Sequence, residues 1–188
     1  MIKALLLGLL GIFISVLTIS IVGIFLPKTN LQQFSSVTIF YVGLLGPIIE
    51  ELVRASLALF LIKNPSLAKA LIFGLSWAML EEFFQLAQGT DFFRISTTSY
   101  YNAEVIISTI GTRMMHLVCA FLAISNWLSF KKRLSFLVLI HTAHNLLTIV
   151  LSQFDGFNYL EKSGKILVYT LLLVLLGRLL LKATPKQI

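Results

Sequence analysis

The chain has 188 residues, of which 57% are hydrophobic and 12% charged, and its mean hydropathy is +0.92. These values exclude a water-soluble globular protein and indicate a polytopic membrane protein, a single transmembrane domain over residues 1–188. The formal net charge of +7 does not indicate a nucleic-acid-binding protein, because the basic residues stand singly or in threes between apolar runs.

Six apolar stretches follow one another along the chain, each close to the roughly 20 residues that a helix needs to cross the hydrocarbon. They cover about residues 3–26, 37–62, 67–88, 104–129, 134–153 and 164–182. The predicted fold class is therefore all-α, a bundle of about six transmembrane helices. The polar motifs described below lie within about residues 37–153, so we expect the core catalytic helices there.

The charges between these stretches predict the orientation. If the N-terminus is cytoplasmic, the outer connections carry both acidic and basic residues, whereas the inner side carries only basic ones. This positive-inside bias places both termini of a multi-pass cell-membrane protein in the cytoplasm. The outer segment 89–103, rich in Ser, Thr, Tyr and Phe, is interpreted as a loop that borders or gates a cleft. The inner basic residues are Lys3, Lys63, Lys69, Lys131, Lys132, Arg133, Arg178, Lys182 and Lys186.

Ionisable residues inside the apolar stretches are the strongest functional signal. A charged side chain in hydrocarbon costs roughly 2.5–3.5 kcal/mol on insertion scales, so such residues are expected to face a shared polar interior. At about 1.5 Å per helical residue, the key members lie roughly 11–21 Å from the cytoplasmic face, which predicts one intramembrane polar cavity. The residues are Glu50, Glu51, Arg54, Glu81, Glu82, His116, His141, His144 and Asn145.

These residue types suit peptide hydrolysis, which needs an activated water, an oxyanion stabiliser and a proton donor for the leaving amine. Glu50 and His116 can hold and deprotonate a water, while His141 and Asn145, four residues apart on a helix, can donate to the oxyanion. Arg54 shares a helix face with Glu50 and can orient that carboxylate. Glu51 points about 100° away, toward a neighbouring helix.

Several alternatives remain open at this point. Glu50, His116 and His141 form a possible zinc ligand set, although the HExxH motif of helical metalloproteases is absent from the chain. The same groups can relay protons or bind a cation in a small transporter. The Glu50, Glu51 and Arg54 cluster can also be a buried structural ion pair in a catalytically inactive scaffold.

The motifs also suggest a family. Their order resembles the PrsW family of intramembrane proteases, which belongs to the same group as the CAAX prenyl-protease and bacteriocin-processing (CPBP) membrane proteins. The resemblance covers about residues 46–150 and implies a first cut in a membrane-bound substrate such as an anti-sigma factor. It implies catalytic roles for Glu50, Glu51 and His116, with oxyanion support from His141 and Asn145. No cofactor is expected for the protein, although zinc is possible. The matching residues are Glu50, Glu51 and Arg54, Gly74 to Glu81, His116, and His141 with Asn145.

Overall fold

The computed structural model describes residues 1–24, 36–87, 103–151 and 158–183. Within these ranges the chain forms helices joined by short connections, with no strand, which confirms the all-α prediction. The predicted outer loop 89–103 lies outside the described residues, except for Ala103.

Each predicted apolar stretch contains one long helix. A short turn, Ser36–Thr38, and a π-helical segment, Ile39–Leu45, lead directly into the second of them. Within the described ranges the long helices are α1 (Ile2–Ile24), α2 (Gly46–Ile62), α3 (Leu67–Ala87), α4 (Ala103–Ala123), α5 (Phe130–Leu151) and α6 (Asn158–Ala183).

Three regions of these helices are long and apolar enough to cross a membrane, namely Ile2–Ile24, Phe130–Val150 and Ser163–Lys182. They indicate a membrane protein. The helices α2, α3 and α4 do not provide such regions among the described residues; α4 contributes a shorter apolar helix, Ile110–Ala123. The charged residues of the predicted site lie on these same helices, and they lower the mean hydropathy there.

The helix α4 is the centre of the bundle. It packs against α2, α3, α5 and α6, and every residue from Met115 to Ser125 is buried. A helix that is apolar on all sides is buried by its neighbours. The helix α1 covers α2 and α3, while α5 packs against α2 and the π-helical segment. His116 is therefore carried into the middle of the protein.

The contact between α1 and α3 depends on small residues. The buried positions of α1 include Ala4, Gly8, Gly11 and Ser15. A Cβ atom at Gly8 would lie 2.8 Å from the backbone oxygen of Phe73, closer than van der Waals contact allows. Small residues at such positions let two helix backbones approach closely, as is common between membrane helices.

Gly8→Ala is expected to destabilise the protein by about 1–3 kcal/mol, because the backbone of α3 must move to admit the methyl group. The measurement is thermal unfolding of the purified protein in detergent micelles. Gly23→Ala is the matched control on the same helix, since none of the residues that the structure describes lies within 4 Å of the Cβ position there. Equal unfolding temperatures for the two variants would contradict the close contact.

Candidate active site

The helix α2 carries a fully buried ion pair. Arg54 Nη1 donates to Glu51 Oε1 at 2.5 Å, and both side chains are 0% exposed. The spacing of four residues predicts Arg54 beside Glu50, and that prediction is wrong, because the partner is Glu51. Residues three apart on a helix are neighbours too, and Glu51 shares the buried face with Arg54 while Glu50 is half-buried.

Trp77 of α3 lies against the other side of Arg54. The guanidinium carbon is 4.3 Å from the centre of the indole ring, and Trp77 is fully buried. This geometry is a cation–π contact, which stabilises a desolvated cation. Trp77 is not among the predicted site residues, although its spacing of four residues from Glu81 places both on one face of α3.

His116 of α4 lies between α2 and α3. Its Nδ1 atom is 2.7 Å from Arg54 Nη2, and its Nε2 atom contacts Glu81 Oε2. Ligand atoms of Glu50, Glu81 and His116 all lie within 4.8 Å of one another. The side chains that were predicted at similar depths on α2, α3 and α4 therefore lie next to one another in the structure.

His141 of α5 completes the network. Its Nδ1 atom is 2.7 Å from Glu51 Oε1, where the ring N–H donates to the carboxylate. The rings of His141 and His116 are 5.7 Å apart between centroids and nearly perpendicular, at 86°. Glu51 thus contacts both Arg54 and His141. The residues of the cluster come from four helices, α2, α3, α4 and α5.

Asn145, predicted beside His141 at the oxyanion, has a different partner. Its Nδ2 atom donates to the backbone oxygen of Val42 at 2.8 Å, in the π-helical segment. In a π-helix the carbonyl of residue 42 would accept from the N–H of residue 47. That residue is Pro47, which has no N–H, so Asn145 supplies the missing donor. Asn145 therefore supports the backbone that leads into Glu50.

Asn145→Ala is expected to lower the free energy of unfolding by about 0.5–1.5 kcal/mol, the usual net contribution of one hydrogen bond. Asn145→Asp also removes the donor, so it should give a loss at least as large. Ser135→Ala is the control, because that hydroxyl only bonds to Lys131 of its own helix. Denaturant unfolding in micelles measures the effect. An unchanged stability in both Asn145 variants would show that the contact with Val42 contributes nothing.

Two further predicted residues, His144 and Glu82, are not part of the cluster that the structure describes. His144 is packed toward α6, with its Nδ1 atom 2.8 Å from the Tyr169 hydroxyl. Glu82 lies on α3, but its side chain is outside the described residues.

The cluster offers both acid–base groups and metal ligands. The set predicted for zinc was Glu50, His116 and His141, whereas the group that the structure brings together is Glu50, Glu81 and His116. Oε2 of Glu50 and Oε2 of Glu51 are buried without a hydrogen-bond partner in the described part of the chain. A buried carboxylate oxygen needs such a partner, so these atoms mark positions suited to a water or another polar ligand.

Comparison with known proteins found no matching family model, no matching curated protein and no matching solved structure. The likeness to the PrsW family therefore stays a prediction from short motifs.

Proposed function

We propose that the protein is an intramembrane endopeptidase that activates water with a glutamate to hydrolyse a peptide bond of a membrane-associated protein. The observation that carries this proposal is the single buried network of Glu51, Arg54, His116 and His141 beside Glu50 and Glu81. A structural ion pair needs one acid and one base. This cluster adds two further carboxylates and two imidazoles, at a large desolvation cost.

The proposal places all six helices across the bilayer, with both termini in the cytoplasm. The large apolar side chains on the outer faces of α2 and α3 support it. Leu52, Phe60 and Met79 are 47%, 61% and 65% exposed, while Glu51 and Arg54 on α2 are fully buried. Polar groups turned inward and apolar groups turned outward are what helices in lipid require.

In this mechanism Glu50 is the base. Oε2 has no partner among the described residues in either Glu50 or Glu51, but the carboxylate of Glu51 already accepts from Arg54 and His141 through Oε1. Such donors stabilise the charged carboxylate and make Glu51 the weaker base, so we assign the proton transfer to Glu50. Glu50 takes a proton from the water while the water oxygen attacks the carbonyl carbon of the peptide bond. Glu50 then gives that proton to the leaving nitrogen as the C–N bond breaks.

His141 is the second reacting group in the proposal. Its Nδ1 atom is held by Glu51, which leaves Nε2 for the substrate. As an imidazolium paired with the Glu51 carboxylate, His141 carries a proton on Nε2 as well, and this fixed donor can stabilise the oxyanion that forms during attack. Asn145 then acts by holding the π-helical segment, and Glu51 and Arg54 hold the two histidines.

The resemblance to the PrsW family suggests the substrate class, a single-span or otherwise membrane-anchored protein such as an anti-sigma factor. The bilayer itself is the other expected partner, and no nucleic acid is expected. Neither a cofactor nor a metal is needed for attack by a glutamate-activated water, although zinc is the metal that the ligand types would suit.

A proton- or cation-coupled transporter is the second candidate function. It is favoured by the mutual approach of Glu50, Glu81 and His116 within 4.8 Å, since such a group can pass protons or bind a cation. Transport and hydrolysis predict different measurements on the same purified protein.

The deciding experiment reconstitutes the protein in liposomes with a set of single-span membrane proteins. Mass spectrometry of the peptides measures cleavage, and a dye inside the liposomes measures ion flux. Cleavage that is lost in His116→Gln and unaffected by a chelator supports the proposal. If a chelator abolishes cleavage and added zinc restores it, the water is activated by a metal ion and not by a glutamate alone. Intact substrates together with ion flux would replace the peptidase with a transporter.

A further inference from the structure

Each ring nitrogen of His116 lies against a group whose hydrogen-bonding character is known. Nδ1 lies 2.7 Å from Nη2 of Arg54, and Nε2 contacts a carboxylate oxygen of Glu81. The ring is fully buried, so water does not replace either partner.

The partner at Nδ1 determines where the ring proton lies. A guanidinium group only donates hydrogen bonds and keeps its charge in proteins. Nδ1 must therefore accept with its lone pair and carries no proton. In an imidazolium ring, the N–H on Nδ1 would point at the N–H of Arg54, so the ring is neutral. A neutral ring has one N–H, and since Nδ1 has none, that N–H is on Nε2. The carboxylate of Glu81 at Nε2 agrees, because it is an acceptor.

Arg54 is itself held in place from two other directions. Its Nη1 atom donates to Glu51 at 2.5 Å, and its guanidinium carbon lies 4.3 Å from the ring centre of Trp77. Both partners are fully buried. Rotating Arg54 away from His116 would break both contacts, so the guanidinium is a rigid neighbour of the ring.

We infer that Arg54 is a positioning residue that holds His116 as the neutral Nε2–H tautomer, with that N–H on the side of the ring where the carboxylates of Glu50 and Glu81 lie. His116 then cannot be the base of the reaction. In the proposed hydrolysis it orients the carboxylates that handle the water. This catalytic consequence rests on the proposed function, but the tautomer does not.

The same tautomer bears on metal binding. A metal needs the lone pair of Nε2, and in this tautomer that nitrogen carries the proton. Binding a metal there would require either an imidazolate or the loss of the contact with Arg54. The guanidinium charge nearby would also repel a divalent cation. A zinc ion would fit between Glu50, Glu81 and His116 by distance alone. Arg54 nevertheless prevents the His116 ring from binding it.

The direct test is a long-range ¹H–¹⁵N correlation spectrum of histidine-labelled protein in nanodiscs. The ring signals that disappear in His116→Gln belong to His116. We expect them to show a protonated Nε2 and a lone pair at Nδ1, while His141 shows a protonated Nδ1 because it donates to Glu51. A protonated Nδ1 on His116 in the wild-type protein overturns the inference, whatever the variants do.

The variants test the role of Arg54. Arg54→Met is expected to shift the His116 signals away from the pure Nε2–H form, whereas Arg54→Lys should retain it, because an ammonium also only donates. Arg133→Met is the matched control: Arg133 is a buried arginine that donates to the backbone oxygens of Ala123 and Ser125, so the His116 signals should not move. An unshifted Arg54→Met spectrum would overturn the positioning role.

Zinc titration is an independent measurement. We expect no binding to the cluster in the wild-type protein and a gain of binding in Arg54→Met, lost again when Glu81→Gln is added. Wild-type binding that disappears in His116→Gln would overturn the inference. Neither experiment depends on substrate cleavage. A protein that shows the expected tautomer and cleaves nothing would refute the peptidase and leave the role of Arg54 intact.

Discussion

Glu50→Gln is expected to lower the rate of peptide-bond cleavage by about 10²–10⁴-fold, the usual contribution of a positioned general base. The amide has nearly the shape of the carboxyl group but cannot accept a proton from water. Oε2 of Glu50 has no hydrogen-bond partner among the described residues, so the substitution breaks no bond at that atom. The unfolding temperature should therefore change little while the activity is lost.

The measurement is the initial rate of cleavage in proteoliposomes, with thermal unfolding of the same preparation. Glu50→Asp keeps a carboxylate set back by one methylene group and should retain part of the activity. Ser56→Ala is the control on the exposed face of α2, where the hydroxyl bonds only to its own helix, and it should cleave like the wild-type protein. Full activity in Glu50→Gln would assign the base to another residue.

Glu51→Leu is expected to have the largest effect on stability, about 3–5 kcal/mol, the usual cost of removing one partner from a buried ion pair. The side chain is 0% exposed, and its Oε1 atom accepts from both Arg54 and His141. Its removal leaves a guanidinium buried without its anion and takes the acceptor from the Nδ1 atom of His141.

A double-mutant cycle separates the ion pair from the packing. Glu51→Leu with Arg54→Met replaces both charges by apolar groups, so it should recover much of the stability that the single variant loses. Denaturant unfolding in micelles provides the free energies for all four proteins. Additive losses would show that the pair is not coupled, and would contradict the short contact between Glu51 and Arg54.

The helices and the depth of the polar residues followed from the sequence. Apolar stretches separated by short polar connections predicted where the six long helices lie, because helix formation in an apolar chain depends on local hydrophobicity and length. The rise along a helix then predicted that Glu50, Glu81, His116 and His141 lie within about two helical turns of one another in depth. Both are properties of each helix alone, so no knowledge of its neighbours was needed.

Partner choice inside the cluster was decided by the tertiary structure. Arg54 bonds to Glu51 and not to Glu50, His116 has Glu81 at Nε2, and Asn145 bonds to Val42. Each pairing depends on how one helix is rotated relative to the next, and an error of about 100° replaces one residue by its neighbour in the chain. The π-helical segment ahead of α2 adds an offset that apolar periodicity does not reveal. The rotation of each helix and the offset of α2 result from packing between helices, and the sequence of a single helix does not determine them.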